Sequence, residues 1–342
     1  MSNLGMTIAV WVVVVGALLC YMARRGRHRA STRKIVVFAP ETQPEEADRI
    51  VRSMGGRLVK QLPLINGAVC ELARDADAMA LSAHERVARV DEDLRVQAYP
   101  CCHWLRSRSA PPTPQLPEQV PWGIARIGAP ALWQQSPSTT GAGVKVAVLD
   151  TGIDLNHPDL SPNLAAGVNI LNPRRPASDD NGHGTHVAGT IAAALNGLGV
   201  VGAAPQARLY PVKVLDRNGS GRLSDIVKGL EWCVQQGIQV ANLSLGSPEG
   251  NATFAEAVAR AAAAGVVVVA AAGNTGPGPD TLGYPARYPE TIAVGATTRG
   301  DAVAGFSSRG EELDLVAPGD LILSTWLNGT YQELSGTSMA AP

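Results

Sequence analysis

Four polar side chains lie far apart in this chain, each set in a run of small residues. They are Asp150 in VAVLDTGID, His183 in NGHGTHVAGT, Asn274 in VVVVAAAGN and Ser338 in LSGTSMAAP. Together they could carry acyl transfer. A serine hydroxyl is a poor nucleophile by itself: it needs a base to take its proton, a group to orient that base, and a donor for the negative oxygen that forms on the attacked carbonyl. Ser338 alone reads as a helix-start serine satisfying backbone N–H groups. Beside an aspartate, a histidine and an asparagine, it reads as the nucleophile. Other side chains compete for these roles. His186 lies one helical turn after His183 and reads as a packed core histidine, while His157, in NHPDL, reads as a turn residue. Asp154 and Asp159 are carboxylates near Asp150, better suited to capping a turn or holding an ion.

Chemistry at these positions requires elements that bring them together. Short apolar runs at residues 144–149, 209–215, 240–245, 266–272, 292–296 and 313–316 alternate with helical patterns at 186–195, 223–236 and 253–264. In the second of those patterns Leu223, Ile226, Val227, Leu230, Cys233 and Val234 fall at helical spacing and end at Gly237. Such alternation predicts an α/β fold with a doubly wound, mostly parallel sheet. Sites in such sheets gather at the carboxyl ends of the strands. Asp150 directly follows its strand and Asn274 follows its own by two residues, so both belong to that edge.

Composition agrees with a closely packed core. The chain has 342 residues, of which 45% are hydrophobic but only 4% aromatic, with 36 glycines. Small and β-branched residues suit helices laid on a parallel sheet. With 29 basic and 30 acidic residues there is no electrostatic footprint for nucleic acid. The five cysteines, Cys20, Cys70, Cys101, Cys102 and Cys233, are odd in number and two are adjacent, so no disulfide framework is expected.

Ahead of the sheet the pattern changes three times. Residues 6–22 are almost wholly apolar and are followed by Arg24, Arg25, Arg27, Arg29, Arg33 and Lys34. Their length is near that needed to span a bilayer, so residues 1–33 read as a membrane anchor or signal segment with a basic flank. Charge placed after the apolar run would put the downstream chain in the cytoplasm, which leaves the topology open. Residues 34–98 show the order β, α, β, β, α, β of a small ferredoxin-like α+β domain. Within it, Gly55-Gly56 stops a helix and Asn66-Gly67 marks a hairpin turn. Residues 99–120 hold five prolines and no periodicity, and read as an exposed linker.

Taken together, DTGID, HGTHVAGT, SLG, AAAGN and GTSMAAP resemble the subtilisin-like serine proteases, over residues 122–342 and in the same order. The segment 34–98, ending ERVARVDED, is similar to the inhibitory pro-region of that family. The resemblance implies a serine endopeptidase that cleaves extended polypeptides through an acyl-enzyme and is made as a self-inhibited zymogen. It implies Ser338 as nucleophile, His183 as general base, Asp150 as its orienting group, and the Asn274 amide with the Ser338 N–H as oxyanion donors. It further implies that substrate is bound as an added strand between Ser244, Leu245 and Gly246 on one side and Gly219, Ser220 and Gly221 on the other. Ala271, Ala272, Gly273 and Gly283 would line a first pocket with no acid in it, tolerant of large apolar side chains. No cofactor is required for the chemistry. A structural calcium would fall near the loop 195–201, with Asp159 and Asn196 as oxygen ligands.

The expected organisation is therefore an anchor or signal at 1–33, a pro-region at 34–98 acting as an intramolecular inhibitor, a linker at 99–120 and a peptidase domain at 121–342. The family's pattern continues beyond Ser338 into a buried helix of which this chain carries only the start. An inactive peptide-binding pseudoprotease or a truncated fragment is accordingly the alternative reading. The expected location is secreted or membrane-anchored, with the protease outside the cytoplasm.

Overall fold

A computed structural model of the chain describes residues 32–99, 117–135 and 137–342. The apolar segment 6–22, with Cys20, and most of the predicted linker, with Cys101 and Cys102, lie outside the described residues. Two compact units are present. Among the described residues, one takes 32–61 together with Ala68–Val90; the other takes Leu62–Gly67 and those from Asp91 onward.

The smaller unit contains strand β1 (Thr32–Phe38), helix α1 (Pro44–Ser53), strands β2 (Arg57–Leu62) and β3 (Gly67–Leu72), helix α2 (Asp75–Ser82) and strand β4 (Val87–Glu92). Sheet order is β2-β3-β1-β4, in keeping with the β, α, β, β, α, β sequence pattern. Helix α1 begins with Pro44 and places Glu45 and Glu46 in its first turn and Arg52 in its last, each suited to the helix dipole. Its buried residues Ala47, Ile50 and Val51 keep the three-then-four spacing of one helical face. They meet Val36, Phe38, Ala68, Cys70, Leu72, Leu81 and Val87 in one core. Between β2 and β3 the chain makes a 3₁₀ turn at Pro63–Ile65, and Asn66 takes the left-handed conformation that precedes Gly67.

The larger unit opens with strand β5 (Arg95–Ala98) and the short helices α3 (Trp122–Arg126) and α4 (Ala129–Trp133). Then come strands β6 (Lys145–Asp150) and β7 (Val168–Asn169), helix α5 (His183–Ala192), strands β8 (Arg208–Lys213) and β9 (Ser220–Arg222) and helix α6 (Leu223–Gln236). Next in the chain are strands β10 (Val240–Leu243) and β11 (Leu245–Gly246), helix α7 (Ala252–Ala263) and strands β12 (Val267–Ala271), β13 (Thr291–Thr297) and β14 (Leu315–Pro318). Strands β15 (Ile322–Trp326) and β16 (Thr330–Leu334) and the single-turn helix α8 (Thr337–Ala340) complete it.

Seven of these strands form one sheet in the order β14-β13-β12-β10-β6-β8-β7. Every neighbouring pair in it is parallel. From β6 the chain goes to the edge strand β7, returns to β8 between them, then crosses to β10 and builds the other way. The reversal therefore lies at the β6–β10 pair, where a crevice opens at the carboxyl ends of the strands. The core on one face is small-sided, as the composition requires: Val146, Val148, Ile153, Val187, Ala188, Ile191, Ala192, Leu209, Ile322 and Met339 share a single cluster. Among the described residues no helix is long and apolar enough to cross a membrane. Cys70 and Cys233 are buried free thiols.

The main predicted strands and helices of the sheet are found within a few residues of their expected bounds. Six elements come without a sequence signal: β5, β7, the short helices α3 and α4 and the antiparallel hairpin β15–β16. From Asp91 onward the chain is grouped with the larger unit, so the last two residues of β4 fall there.

Candidate active site

Asp150 is the last residue of β6 and is fully buried. Its carboxylate accepts the Thr151 N–H at 2.7 Å, and both of its oxygens stand 2.9 Å from His183 Nδ1. His183 is the first residue of α5, and the glycine after it has a packing reason. A methyl group on Gly184 would collide with the Gly152 carbonyl oxygen and press on the Asp150 side chain, so only glycine lets the helix approach this closely.

Asp179, which sequence reasoning did not single out, fixes the start of the same helix. Its Oδ1 accepts the Asn181 and Gly182 N–H groups at 2.9 and 3.0 Å, and its Oδ2 accepts the Thr185 N–H and hydroxyl at 3.0 and 2.6 Å. An acidic residue ahead of a helix-opening histidine was the available signal. From behind, the β15–β16 hairpin holds α5. His186 Nε2 lies 3.0 Å from the carbonyl oxygens of Ile322 and Gln332, and Ser324 and Thr325 donate hydroxyls to the carbonyls of His186 and Thr185.

The two histidines of HGTH are in opposite electrostatic situations. Burial works to lower the pKa of His183, but the charge of Asp150, the hydrogen bond to it and the charge of Asp179 outweigh burial and leave it raised. Burial also dominates at His186, with no carboxylate to offset it, and pushes its pKa down to about 3. His186 is thus a neutral structural residue, as its sequence position suggested, and His157 likewise sits buried with its pKa lowered by burial and Nε2 on the Thr330 carbonyl. His183 Nε2 is buried and has no hydrogen-bond partner among the described residues.

Ser338 reaches the same rim by another route. In the β6–β10 register Asn242 stands opposite Val148, so Ser244, two residues further, is level with Asp150 one strand away. Ser338 Oγ donates to the Ser244 carbonyl at 3.0 Å, and Ser244 Oγ donates back to the Ser338 carbonyl at 2.9 Å. Ser244, grouped with the substrate-binding strand on the sequence, also fastens Ser338 through its side chain and its carbonyl. Asn274 lies past β12, and its Oδ1 accepts both the N–H and the hydroxyl of Thr337 at 2.9 Å. That arrangement ties Asn274 to the residue before Ser338 and directs its amide nitrogen toward Gly336.

The cleft beside Ser338 holds a strand of this same chain. Strand β5 runs antiparallel between β11, with Leu245 opposite Ala98 and Gly246 opposite Gln97, and β9, with Val96 opposite Gly221 and Gln97 opposite Ser220. The Ala98 N–H donates to the Gly219 carbonyl at 2.8 Å. Tyr99, next in the chain, is half-buried against Gly246, Gly273 and Gly283 with its hydroxyl fully enclosed, and a methyl group on Gly246 or Gly283 would collide with that hydroxyl. Ala272 lies beneath, fully buried, with its carbonyl accepting the Gly283 N–H.

The acidic residues ahead of β5 hold the ends of two helices. Asp93 accepts the N–H and hydroxyl of Ser224 at the start of α6, both at 2.9 Å. Asp91 accepts those of Thr253 at the start of α7, at 3.0 and 2.7 Å.

The described residues 141–342 match the model of the subtilase family. The chain belongs to the subtilase family. Subtilisin E of Bacillus subtilis (strain 168) is 44% identical over 296 residues, which cover 86% of this chain and 72% of that protein. Subtilisin Savinase of Lederbergia lenta is 53% identical over 225 residues, covering 66% of this chain and 81% of that protein. An alkaline protease of Alkalihalobacillus alcalophilus is also 53% identical over 225 residues, covering 66% of this chain and 57% of that protein. This subtilase is a serine endopeptidase acting on polypeptides.

Around the loop 195–201 of this subtilase, carboxylates and backbone N–H groups face each other. Glu118 Oε1 accepts the N–H groups of Asn196 and Gly197 at 2.8 and 2.9 Å, Asp159 Oδ2 accepts that of Val200 at 2.9 Å, and Asn196 Oδ1 accepts that of Leu198 at 3.0 Å. Asp159 Oδ1 is buried without a partner among the described residues. Burial raises the Asp159 pKa against the hydrogen bonds from Val200, Tyr331 and Asn196.

Proposed function

We propose that Asp150, His183, Ser338 and Asn274 carry peptide hydrolysis in this subtilase. The observation that bears most weight is the Asp150–His183 pair at the sheet's carboxyl rim, one strand away from the segment that fastens Ser338. Ser338 Oγ attacks the carbonyl carbon of the scissile bond as its proton passes to His183 Nε2. For this step the hydroxyl turns from the Ser244 carbonyl to the nitrogen. Asp150, bonded to Nδ1, selects the tautomer that leaves Nε2 able to accept and stabilises the imidazolium that results. The carbonyl oxygen, now negative, takes hydrogen bonds from the Asn274 amide and the Ser338 N–H. The C–N bond then breaks as His183 returns its proton to the leaving nitrogen, and water removes the acyl group by the same route.

The substrate lies as a strand between Leu245–Gly246 and Gly219–Gly221, in the way β5 lies now, with the side chain before the scissile bond in the pocket of Gly246, Gly273 and Gly283. The unit that includes β1–β4 and the strand after it act as a built-in inhibitor, so the enzyme is made as a zymogen. The apolar run 6–22 supports export, with the protease outside the cytoplasm, either released or anchored.

A calcium ion in the loop 195–201 would have to share side-chain oxygens that already accept N–H groups. Calcium takes six to eight oxygens. Here Glu118 Oε1, Asp159 Oδ2 and Asn196 Oδ1 each already accept an N–H group, and Asp159 Oδ1 is buried without a partner among the described residues. We read the loop as closed by hydrogen bonds in place of an ion.

Hydrolysis of extended peptides that differ only in the residue before the cleaved bond tests the assignment. Peptides with Tyr, Phe or Leu there are expected to be cut far faster than those with Arg, with all cleavage lost in Ser338→Ala. An Arg preference, or cleavage surviving in Ser338→Ala, would overturn it.

A further inference from the structure

Lys213 is the last residue of β8 and stands opposite Asp150 in the register of β6 and β8. Its side chain is buried, and the catalytic cycle described above gives it no task. An ammonium taken out of water needs partners that offset its lost hydration. Two are present: Lys213 Nζ donates to the Thr151 carbonyl and, at 2.7 Å, to Asp180 Oδ1. Thr151 directly follows Asp150, and Asp180 stands shortly before His183. We propose that Lys213 is a positioning residue for catalysis, which ties the turn after Asp150 to the segment leading into His183 and so keeps carboxylate and imidazole in register. This inference rests on the catalytic roles assigned above and deepens them by naming a residue that acts on the pair without touching the substrate.

Thr151 is where the tie takes effect. Its N–H donates to Asp150 Oδ1 at 2.7 Å, its hydroxyl oxygen accepts the Gly184 N–H at 3.0 Å, and its carbonyl receives Lys213. One residue thus touches the catalytic carboxylate, the helix that carries His183, and the buried cation. The next residue, Gly152, has φ +104°, a conformation that glycine takes without strain but that does not hold the turn by preference. The grip of Nζ on the Thr151 carbonyl fixes the peptide plane there. On the other side, Asp180 lies between two residues that are already tied down. Asp179 caps α5, and Asn181 accepts the His183 N–H at 3.1 Å while donating to the Arg217 carbonyl at 2.9 Å.

Lysine suits this task for two reasons. Its ammonium has three donors on a long stem, so it can hold a carbonyl and a carboxylate at once from beneath the rim. It also pairs with Asp180, and the two together carry no net charge. The tie is therefore made without opposing Asp150 and Asp179, whose charges keep the His183 pKa raised. Its value lies in geometry: a displacement of about 1 Å between catalytic groups costs on the order of 10²-fold in rate.

Kinetics per active site test this, with sites counted by fluorophosphonate titration so that unfolded molecules drop out. Lys213→Met keeps the stem and removes the ammonium. It should lower kcat per site by roughly 10–10²-fold with KM little changed, because the substrate's strand contacts are untouched. The low-field proton signal of the His183 Nδ1–H held by Asp150 should shift in the same variant. Lys213→Arg retains donors for both anchors and should recover most of the loss. Asp180→Ala removes one anchor at a side chain that is 55% exposed, so it reads the tie even where Lys213→Met fails to fold. It should lower kcat in the same sense by a smaller factor, and the double variant should be no slower than Lys213→Met alone, since both act through one contact. A merely structural role would reduce Tm and the number of titratable sites only. Unchanged kcat per site and an unmoved proton signal in Asp180→Ala and in whatever Lys213→Met folds would overturn the inference while leaving the catalytic roles standing. Peptide hydrolysis that survives in Ser338→Ala overturns those roles and the inference with them.

Discussion

At the scale of single residues, a few neighbours decide what each catalytic group can do. Asn274 shows this most simply, since Thr337 takes both hydrogen bonds that its Oδ1 can accept and so fixes the direction of the amide. Asn274→Ala is expected to lower kcat with KM little changed, because the bond is made to the oxyanion and not to the ground-state carbonyl. The expected loss is roughly 10²–10³, the size found for such a donor in subtilisin itself. Steady-state kinetics on one peptide checks it, and a change confined to KM would speak against the role. His183 gives a prediction in pH. Its pKa is raised, so the neutral base is lost as pH falls through a value above the ordinary 6.5 or so, and kcat/KM should fall along that acidic limb. Asp179 supplies part of the rise. In Asp179→Asn the limb should move to lower pH, while an unmoved limb would confine Asp179 to capping α5.

At the scale of elements, the sequence was most legible where each segment carries its own signal. Strands such as β6 and β12 are apolar over their whole length, because both faces of a parallel sheet are covered, and their catalytic residues sit directly beyond them. Strand β5 carried no such signal: Arg95, Val96, Gln97 and Ala98 become a strand only because β9 and β11 offer unpaired edges on either side. The β15–β16 hairpin was equally silent, since its polar residues Ser324 and Thr325 are spent on the carbonyls of α5. The loop 195–201 is where a family expectation and this chain part. With N–H groups already on Glu118, Asp159 and Asn196, a chelator should leave Tm unchanged within about 1 °C, where an effect of about 1 kcal/mol would move a domain of this size by about 2–4 °C. A clear drop in Tm on chelation, restored by added calcium, would show that an ion holds the loop.

Across the whole molecule, what makes the protease is the topology of the sheet. Reversing direction between β8 and β10 places β6 beside β10, and with them Asp150 beside the Ser244 segment that holds Ser338. None of this adjacency is visible along the chain, which is why motifs and their order disclosed the site before any spacing argument could. The same crevice receives β5 and Tyr99, so catalysis and its restraint share one set of strand edges. Reaction of matured protein with a fluorophosphonate, which labels only a serine activated by a base, tests that arrangement most directly. The label should be found on the peptide that contains Ser338 and should vanish in both Ser338→Ala and His183→Ala. Labelling that persists in either variant, or that maps to another serine, would contradict it.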